Sequence, residues 1–354
     1  MNNSNNIKLW FGILFMVILI IPNAMMLSED IDQKFPELSF ETPEASIESF
    51  EDYYSNNFGT KPKLVDAYLN LKLNYLGDSP LPNKVLLGKD GWYFLGNNSR
   101  DLFDDSSGNH SFSISELEEI KNAVAFFRDT LKSKGIEFHI VVPPNKHRVY
   151  SEKLPYNLKQ KPTRLQELNT YLKQKINFEI LDLRDTLINN KDKEILYYKT
   201  NTHWNDLGAY IAYRKTLNSF KLNIPIDSLS NYNYELQPID RSDITEMINL
   251  EFKEKAMFLK RKSESNIETV FRKRFKLHFK NPKGDKKMIL YHDSFAYHWI
   301  KHFNESFAET VYLRGYKMNL KYILNQKPDV IVIEVVERNL GHILLQLKER
   351  SSNF

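Results

Sequence analysis

Met288-Ile289-Leu290-Tyr291-His292-Asp293-Ser294-Phe295 carries four apolar residues straight into a turn that ends on a serine. A short continuous apolar run bounded by a turn reads as a strand buried on both faces, as in parallel sheets. About ninety residues upstream, Ile195-Leu196-Tyr197-Tyr198 leads in the same manner into Thr200-Asn201-Thr202-His203-Trp204. A hydroxyl and an imidazole, each delivered past a strand end, are the minimum for a serine nucleophile and its base. Open α/β sheets gather reactive groups beyond the carboxyl ends of their strands. Each residue also has an ordinary reading: Ser294 as a helix N-cap after a strand, His203 as a structural histidine beside Trp204.

Outward from these two runs, strand and helix patterns alternate. Apolar strand segments fall at 136–142, 178–183, 288–291, 310–313 and 330–336, with helical spacing at 165–176, 207–220, 297–303 and 320–325. This alternation predicts an α/β fold, a mostly parallel sheet flanked by helices. Further upstream, residues 47–75 show helical spacing, and Gly88-Lys89-Asp90-Gly91-Trp92-Tyr93-Phe94-Leu95 reads as a turn feeding an aromatic strand. Ser115 and Glu118 fit a capping box for a helix with Leu117, Ile120, Val124, Phe127 and Leu131 on one face. Residues 222–286 break the rhythm, with thirteen Lys/Arg against five Asp/Glu over 251–287. That segment reads as a solvated helix pair, as a positive wall for an anionic polymer, or as lysines snorkelling toward a membrane.

The 354-residue chain is 42% apolar and 13% aromatic, which excludes a disordered protein. A net charge of +4 gives no pointer to a nucleic-acid partner. The absence of cysteine excludes disulfides, thiolate metal sites and a cysteine nucleophile. The nine histidines lack HExxH or facial-triad spacing and no Gly-rich phosphate loop occurs, so neither metal nor cofactor is expected.

Residues 9–27 are overwhelmingly apolar and uncharged, about the length a helix needs to cross roughly 30 Å of hydrocarbon. Lys8 precedes the run and Glu29, Asp30 and Asp32 follow it, which favours a cytoplasmic N-terminus. A cleaved signal peptide is the rival, with Pro22-Asn23-Ala24 a poor cleavage region. The expected layout is a cytoplasmic tail (1–6), a transmembrane signal anchor (7–27), a lead-in with a helix (28–85) and a body (86–354) containing the basic insertion 222–286.

From about residue 35 to residue 339 the chain resembles the SGNH-hydrolase-like domain of the alginate O-acetyltransferase family (AlgJ/AlgX type). The shared pieces are Asn57-Phe58-Gly59, Gly88-Lys89-Asp90-Gly91-Trp92, Pro144-Asn145-Lys146 with Leu154-Pro155, Thr202-His203-Trp204-Asn205 with Gly208, Asp293-Ser294-Phe295 and Glu337-Arg338-Asn339. In that family the histidine motif precedes the serine motif, as here, the reverse of ordinary SGNH esterases. The resemblance implies Ser294 as nucleophile and His203 as base, passing an acetyl group through an acyl-serine to a sugar hydroxyl. It departs from the family at Asn201, where an Asp is usual, and at His292, where SGNH proteins usually carry Gly. An Asn oxygen can accept the imidazole N–H but supplies no charge; Asp206 is a candidate substitute carboxylate. Asp293 is read as shaping the turn. By topology, the loops after the next two strands nominate Gly315 with Arg314, and Arg338 with Asn339, as oxyanion or substrate-binding groups beside the Ser294 amide. Tyr297 and Trp299 are candidates for a sugar-stacking wall, or for core packing on one helix face.

These readings converge on a membrane-anchored O-acetyltransferase of an exported or cell-surface polysaccharide, on the periplasmic side of the inner membrane. The resemblance implies a multi-spanning membrane acyltransferase as acetyl donor. A carbohydrate acetyl esterase and a non-catalytic polysaccharide-binding or assembly subunit on the same scaffold are the alternatives.

Overall fold

The computed structural model describes residues 2–26, 35–37, 39, 41–58, 61–98, 102–158, 161–341 and 346–347. Leu27, Glu29, Asp30, Asp32 and Gly59, used in the expectations above, lie outside them. The chain forms two compact units, Met1–Pro80 and Leu81–Phe354.

The first unit is helical: Asn2–Met26, Pro43–Asn57 and Lys61–Asn70, the last continued by a π turn over Leu71–Tyr75. Residues Asn6–Met25 are long and apolar enough to cross a membrane by length and composition. Their large side chains lie open, Trp10 and Phe11 each at 69% exposure. A membrane anchor and a signal sequence both have this surface and length.

The second unit opens with a small hairpin, β1 (Val85–Leu87) and β2 (Tyr93–Leu95). Its main sheet is built from β3 (Glu137–Val142) and β4 (Leu181–Asp182), then β7 (Glu268–Lys273), β8 (Lys276–Lys280), β9 (Lys287–His292), β10 (Glu309–Arg314) and β11 (Val330–Glu334). Between them in sequence, β5 (Tyr232–Pro238) and β6 (Lys255–Arg261) form a separate antiparallel pair. The spatial order of the seven-stranded sheet is β4-β3-β11-β9-β10-β8-β7. The strands from β4 to β10 run parallel; β8 pairs antiparallel with β10, and β7 antiparallel with β8.

Successive side chains on a strand point to opposite faces, and here both faces are apolar. Leu290, Val330 and Val332 enter a core with Tyr197, Trp204, Tyr213, Phe295 and Trp299. Ile289, Tyr291, Ile331 and Ile333 enter another with Phe127, Leu131, Leu168 and Leu172. This double coverage is why the strands read as continuous apolar runs.

Four expectations are corrected. The capping box is Ser113 with Glu116, opening the helix Ile114–Lys132 two residues early, because the same S-x-x-E spacing occurs there. Residues 195–198 form no ladder; a single bridge, Tyr197 to Trp204, folds the histidine segment back on itself. Residues 178–183 contribute only the two-residue β4. The basic segment is no helix pair: it supplies β5 to β8, and two of these strands extend the main sheet.

Candidate active site

Ser294 stands just past the carboxyl end of β9, the middle strand of the seven-stranded sheet. The preceding residue braces the turn from three directions. The Asp293 amide donates to Glu334 Oε2 (3.0 Å), Phe295 N–H donates to Asp293 Oδ1 (2.9 Å), and Val336 N–H donates to Asp293 Oδ2 (3.0 Å). Asp293 therefore shapes the turn. The Ser294 amide, lying between two engaged amides, has no acceptor among the described residues. Glu334 is wholly buried, and burial together with the neighbouring Asp293 charge raises its carboxyl well above the ordinary range. His292 is buried too; its Nδ1–H donates to the Asp293 carbonyl (2.5 Å), and its ring packs edge-on against Tyr297 and Tyr312.

The histidine segment has no strand to hold it and is fixed by side chains from elsewhere. Lys146 Nζ, buried under the loop, donates to the carbonyls of Tyr198 (3.1 Å), Lys199 (2.9 Å) and Asn201 (2.8 Å). Burial pulls its ammonium down to about 7, against the pull of Asp243 and Glu254. Glu254 accepts the amides of Lys199 (2.6 Å) and Thr200 (2.9 Å) and the Thr200 hydroxyl (2.6 Å). Gly208 lets the chain pass, since a Cβ there would sit 2.2 Å from the Leu196 carbonyl oxygen. Trp204, fully buried, donates its indole N–H to the Phe295 carbonyl (3.0 Å), tying the loop to the serine turn.

The two motifs meet. His203 Nε2 lies 2.8 Å from Ser294 Oγ, and His203 Nδ1 lies 2.8 Å from Asn201 Oδ1. The Asn201 oxygen also accepts the His203 amide (3.1 Å), while its NH2 faces the Arg241 carbonyl at 3.5 Å; this network fixes the amide's orientation. A carboxylate that sequence reasoning missed completes the cluster. Asp243 Oδ2 is 3.5 Å from His203 Nδ1, Asp243 Oδ1 accepts the Thr202 amide (2.7 Å), and the Thr202 hydroxyl donates to Asp243 Oδ2. Burial raises the Asp243 carboxyl, but the nearby His203 and the hydrogen bonds from Thr202 outweigh this and leave it below the usual carboxylate range. Nothing in Arg241-Ser242-Asp243 marks it in the sequence, forty residues from the loop it serves.

Arg338 extends over the Phe295 ring, 5.4 Å from its centroid, with Asp293 and Asp243 opposing the effect of its burial. Tyr297 is 42% exposed, and its hydroxyl accepts a hydrogen bond from Arg314 Nη1 (2.8 Å). It borders a groove of about 840 Å³ lined also by Arg261, Arg272, Lys273, Arg274 and Lys301.

Several nominated residues are placed otherwise. The Gly315 amide donates to the His292 carbonyl (2.9 Å), so that N–H is not free for an oxyanion. Trp299 has zero exposure and donates to the Ala209 carbonyl (3.0 Å), a core residue and no stacking wall. The Asn339 backbone amide, in the turn Glu337–Asn339, donates to the Val336 carbonyl (2.8 Å) and is engaged there; this leaves its side chain as a substrate-binding candidate. Asp206 is engaged by His298, Lys301 and the Leu259 amide and does not touch the imidazole. Among the described residues, no group of three or more His, Cys, Asp or Glu is arranged to hold a metal.

The sequence model described as "SGNH hydrolase-like domain, acetyltransferase AlgX" matches residues 85–265, slightly more than half of the chain. The chain belongs to this AlgJ/AlgX family. It is 30% identical over 132 residues to a probable alginate O-acetylase AlgJ of Pseudomonas putida, covering 36% of this chain and 31% of that protein. It is 28% identical over 165 residues to its counterpart in Pseudomonas aeruginosa, covering 46% and 39%. The matched part thus spans well under half the length of these curated relatives. A Bacillus cereus PatB1 structure with a sulfonyl adduct shares the fold, with a TM-score of 0.53, 17% identity, 72% of this chain covered and 97% of that one. The family range contains Asn201, His203 and Asp243; Ser294 lies beyond it.

Proposed function

We propose that this chain is a membrane-anchored O-acetyltransferase that passes acetyl groups through Ser294 to hydroxyls of an extracytoplasmic polysaccharide. The carrying observation is the 2.8 Å contact between Ser294 Oγ and His203 Nε2 at the carboxyl end of the sheet. Proton-sharing distance is what a serine needs to attack an acyl carbon.

In the first half-reaction Ser294 Oγ bonds to the acetyl carbon while its proton passes to His203 Nε2. The bond from that carbon to the donor's leaving atom breaks, and the leaving group takes the proton. In the second, a sugar hydroxyl gives its proton to His203 and attacks the acetyl-serine; the ester bond breaks and His203 delivers that proton to Ser294 Oγ, regenerating both residues. Asn201 Oδ1 holds the Nδ1 proton, so that Nε2 is the basic nitrogen. The unengaged Ser294 amide and the Arg338 guanidinium are the donors for the developing oxyanion. Tyr297 and the basic groove beside it hold the acceptor.

Cytoplasmic acetyl-CoA lies across the bilayer from this site, so a multi-spanning membrane acyltransferase supplies the acetyl group, and the helix through Asn6–Met25 is the anchor. Hydrolysis differs only in the acceptor, water in place of sugar. Transfer is preferred because the matched relatives are named as O-acetylases.

The test is to incubate the full chain in detergent with an activated acetyl ester and measure intact mass. Wild type gains one acetyl group at Ser294 and Ser294→Ala gains none there. Equal labelling of both, or none of either, overturns the nucleophile and leaves the binding subunit. Adding polysaccharide then separates the remaining readings: acetylated sugar marks a transferase, free acetate alone an esterase.

A further inference from the structure

The family's usual aspartate is absent at position 201, and an imidazole that gains a proton during turnover needs a compensating charge. We infer that Asp243 is the positioning residue that supplies this charge, dividing between two side chains the work one aspartate does elsewhere. The inference rests on the reading of Ser294 and His203 as the acyl-transfer pair.

Asn201 accepts the Nδ1 proton at 2.8 Å and so sets the tautomer. Asp243 Oδ2, at 3.5 Å from the same nitrogen, is too far for the better bond and close enough to stabilise an imidazolium electrostatically. Its own geometry is fixed by two hydrogen bonds from Thr202, the residue next to the histidine. The carboxylate therefore moves with the histidine loop although it comes from a segment forty residues downstream. Its other charged neighbours are Lys146 beneath the loop, Arg338 from the turn after β11, and Arg241 on its own segment. Glu254 and Asp293 balance the first two of these cations, so the carboxylate facing Nδ1 remains Asp243. Asp206, the nearest acid in sequence, is held by His298 and Lys301.

The experiment measures acetylation of Ser294 by an activated ester as a function of pH, on the full chain in detergent. It compares wild type, Asp243→Asn, Asn201→Asp and the double variant, with thermal melting as the fold control. Removing the charge while Asn201 keeps the tautomer should cost about 10- to 100-fold, less than the roughly 10⁴-fold seen when a triad aspartate is lost outright. Its acidic limb should move to lower pH, because an imidazole without its carboxylate protonates less readily. Asn201→Asp alone should preserve or raise the rate. The double variant, with its carboxylate restored at 201, should recover to within about threefold of wild type.

A carboxylate that merely braces Thr202 would lower the rate without moving the acidic limb, and a charge at 201 would not rescue it. Either result, or an Asp243→Asn protein as fast as wild type, overturns the inference while leaving Ser294 and His203 standing. An inert wild type removes the acyl-transfer reading and this inference with it.

Discussion

The serine turn and the histidine loop present one reacting atom each, yet they are held in opposite ways. The turn follows a central strand, and its braces, Glu334 and Val336, come from β11 and its exit, the neighbour in the sheet. The loop follows no ladder and depends on Lys146, Glu254 and Asp243, side chains separated from it by some forty to fifty-five residues. Sheet topology places the first; one buried lysine and two partly buried carboxylates place the second. Damage to single side chains should therefore scatter the histidine far more readily than the serine.

The largest effect expected is at the reacting atom itself. Ser294→Ala should abolish acyl transfer, a loss of about 10⁴-fold or more, with melting unchanged because no packing is lost. An equal loss accompanied by unfolding would mean that the turn depends on the hydroxyl. Lys146→Met tests the loop. It strands three carbonyls in a buried site and should cost about 3–5 kcal/mol of stability. Transfer should fall at least about 100-fold where the protein remains folded, since a misplaced base is ineffective. A stable, active methionine variant would break the comparison.

Two carboxylates that receive backbone N–H groups sharpen it. Glu254→Gln keeps one acceptor of a cluster of three donors and loses its charge, so stability should fall by about 1–2 kcal/mol and transfer by about tenfold. Glu334→Gln, on the serine side, should leave transfer near wild type, because a glutamine oxygen can still accept the Asp293 amide and burial already disfavours the charged form of that carboxyl. The linkage has a definite sign. A carboxyl raised in the folded state contributes stability that is fully present below its unfolded value, near 4, and lost as pH rises toward its folded value. Glutamine does not titrate, so its melting advantage over wild type should grow by about 1 kcal/mol or more between pH 5 and 9. A constant difference across that range would show that Glu334 is ionised throughout.

The same contrast explains what could be read from the residues. Strands β9 to β11 were legible because both faces are buried, so each appears as an unbroken apolar run closed by polar residues. The serine at the end of such a run stands out. The segment before His203 looked alike, with Leu196 and Tyr197 fully buried, but burial alone does not make a strand: its backbone pairs only at Tyr197 and Trp204. Tyr297 and Trp299 were equal candidates for a stacking wall, two residues apart in a tight turn. The turn geometry points one outward and sends the other between Trp204 and Phe303. Gly315 was placed in the correct loop, yet its amide is taken by the His292 carbonyl. The basic run at 251–287 was visible as charge and misread as helix, because its strands lack a period of two in their burial: in β6 the buried residues are Ala256 and Leu259, three apart, and in β8 Phe279 alone is buried.

Composition, periodicity and motif order were enough to determine an α/β body, an apolar helix of bilayer length, and the pair of residues that carry the proposed chemistry. These are properties of local runs, and local runs survive as patterns in a linear text. Only the tertiary structure decided which acid faces the imidazole, which amide stays free beside the hydroxyl, and which aromatic meets solvent. Each of those depends on where backbone from distant segments converges, and a hydrogen bond between residues 202 and 243 leaves no periodic trace in either stretch of sequence.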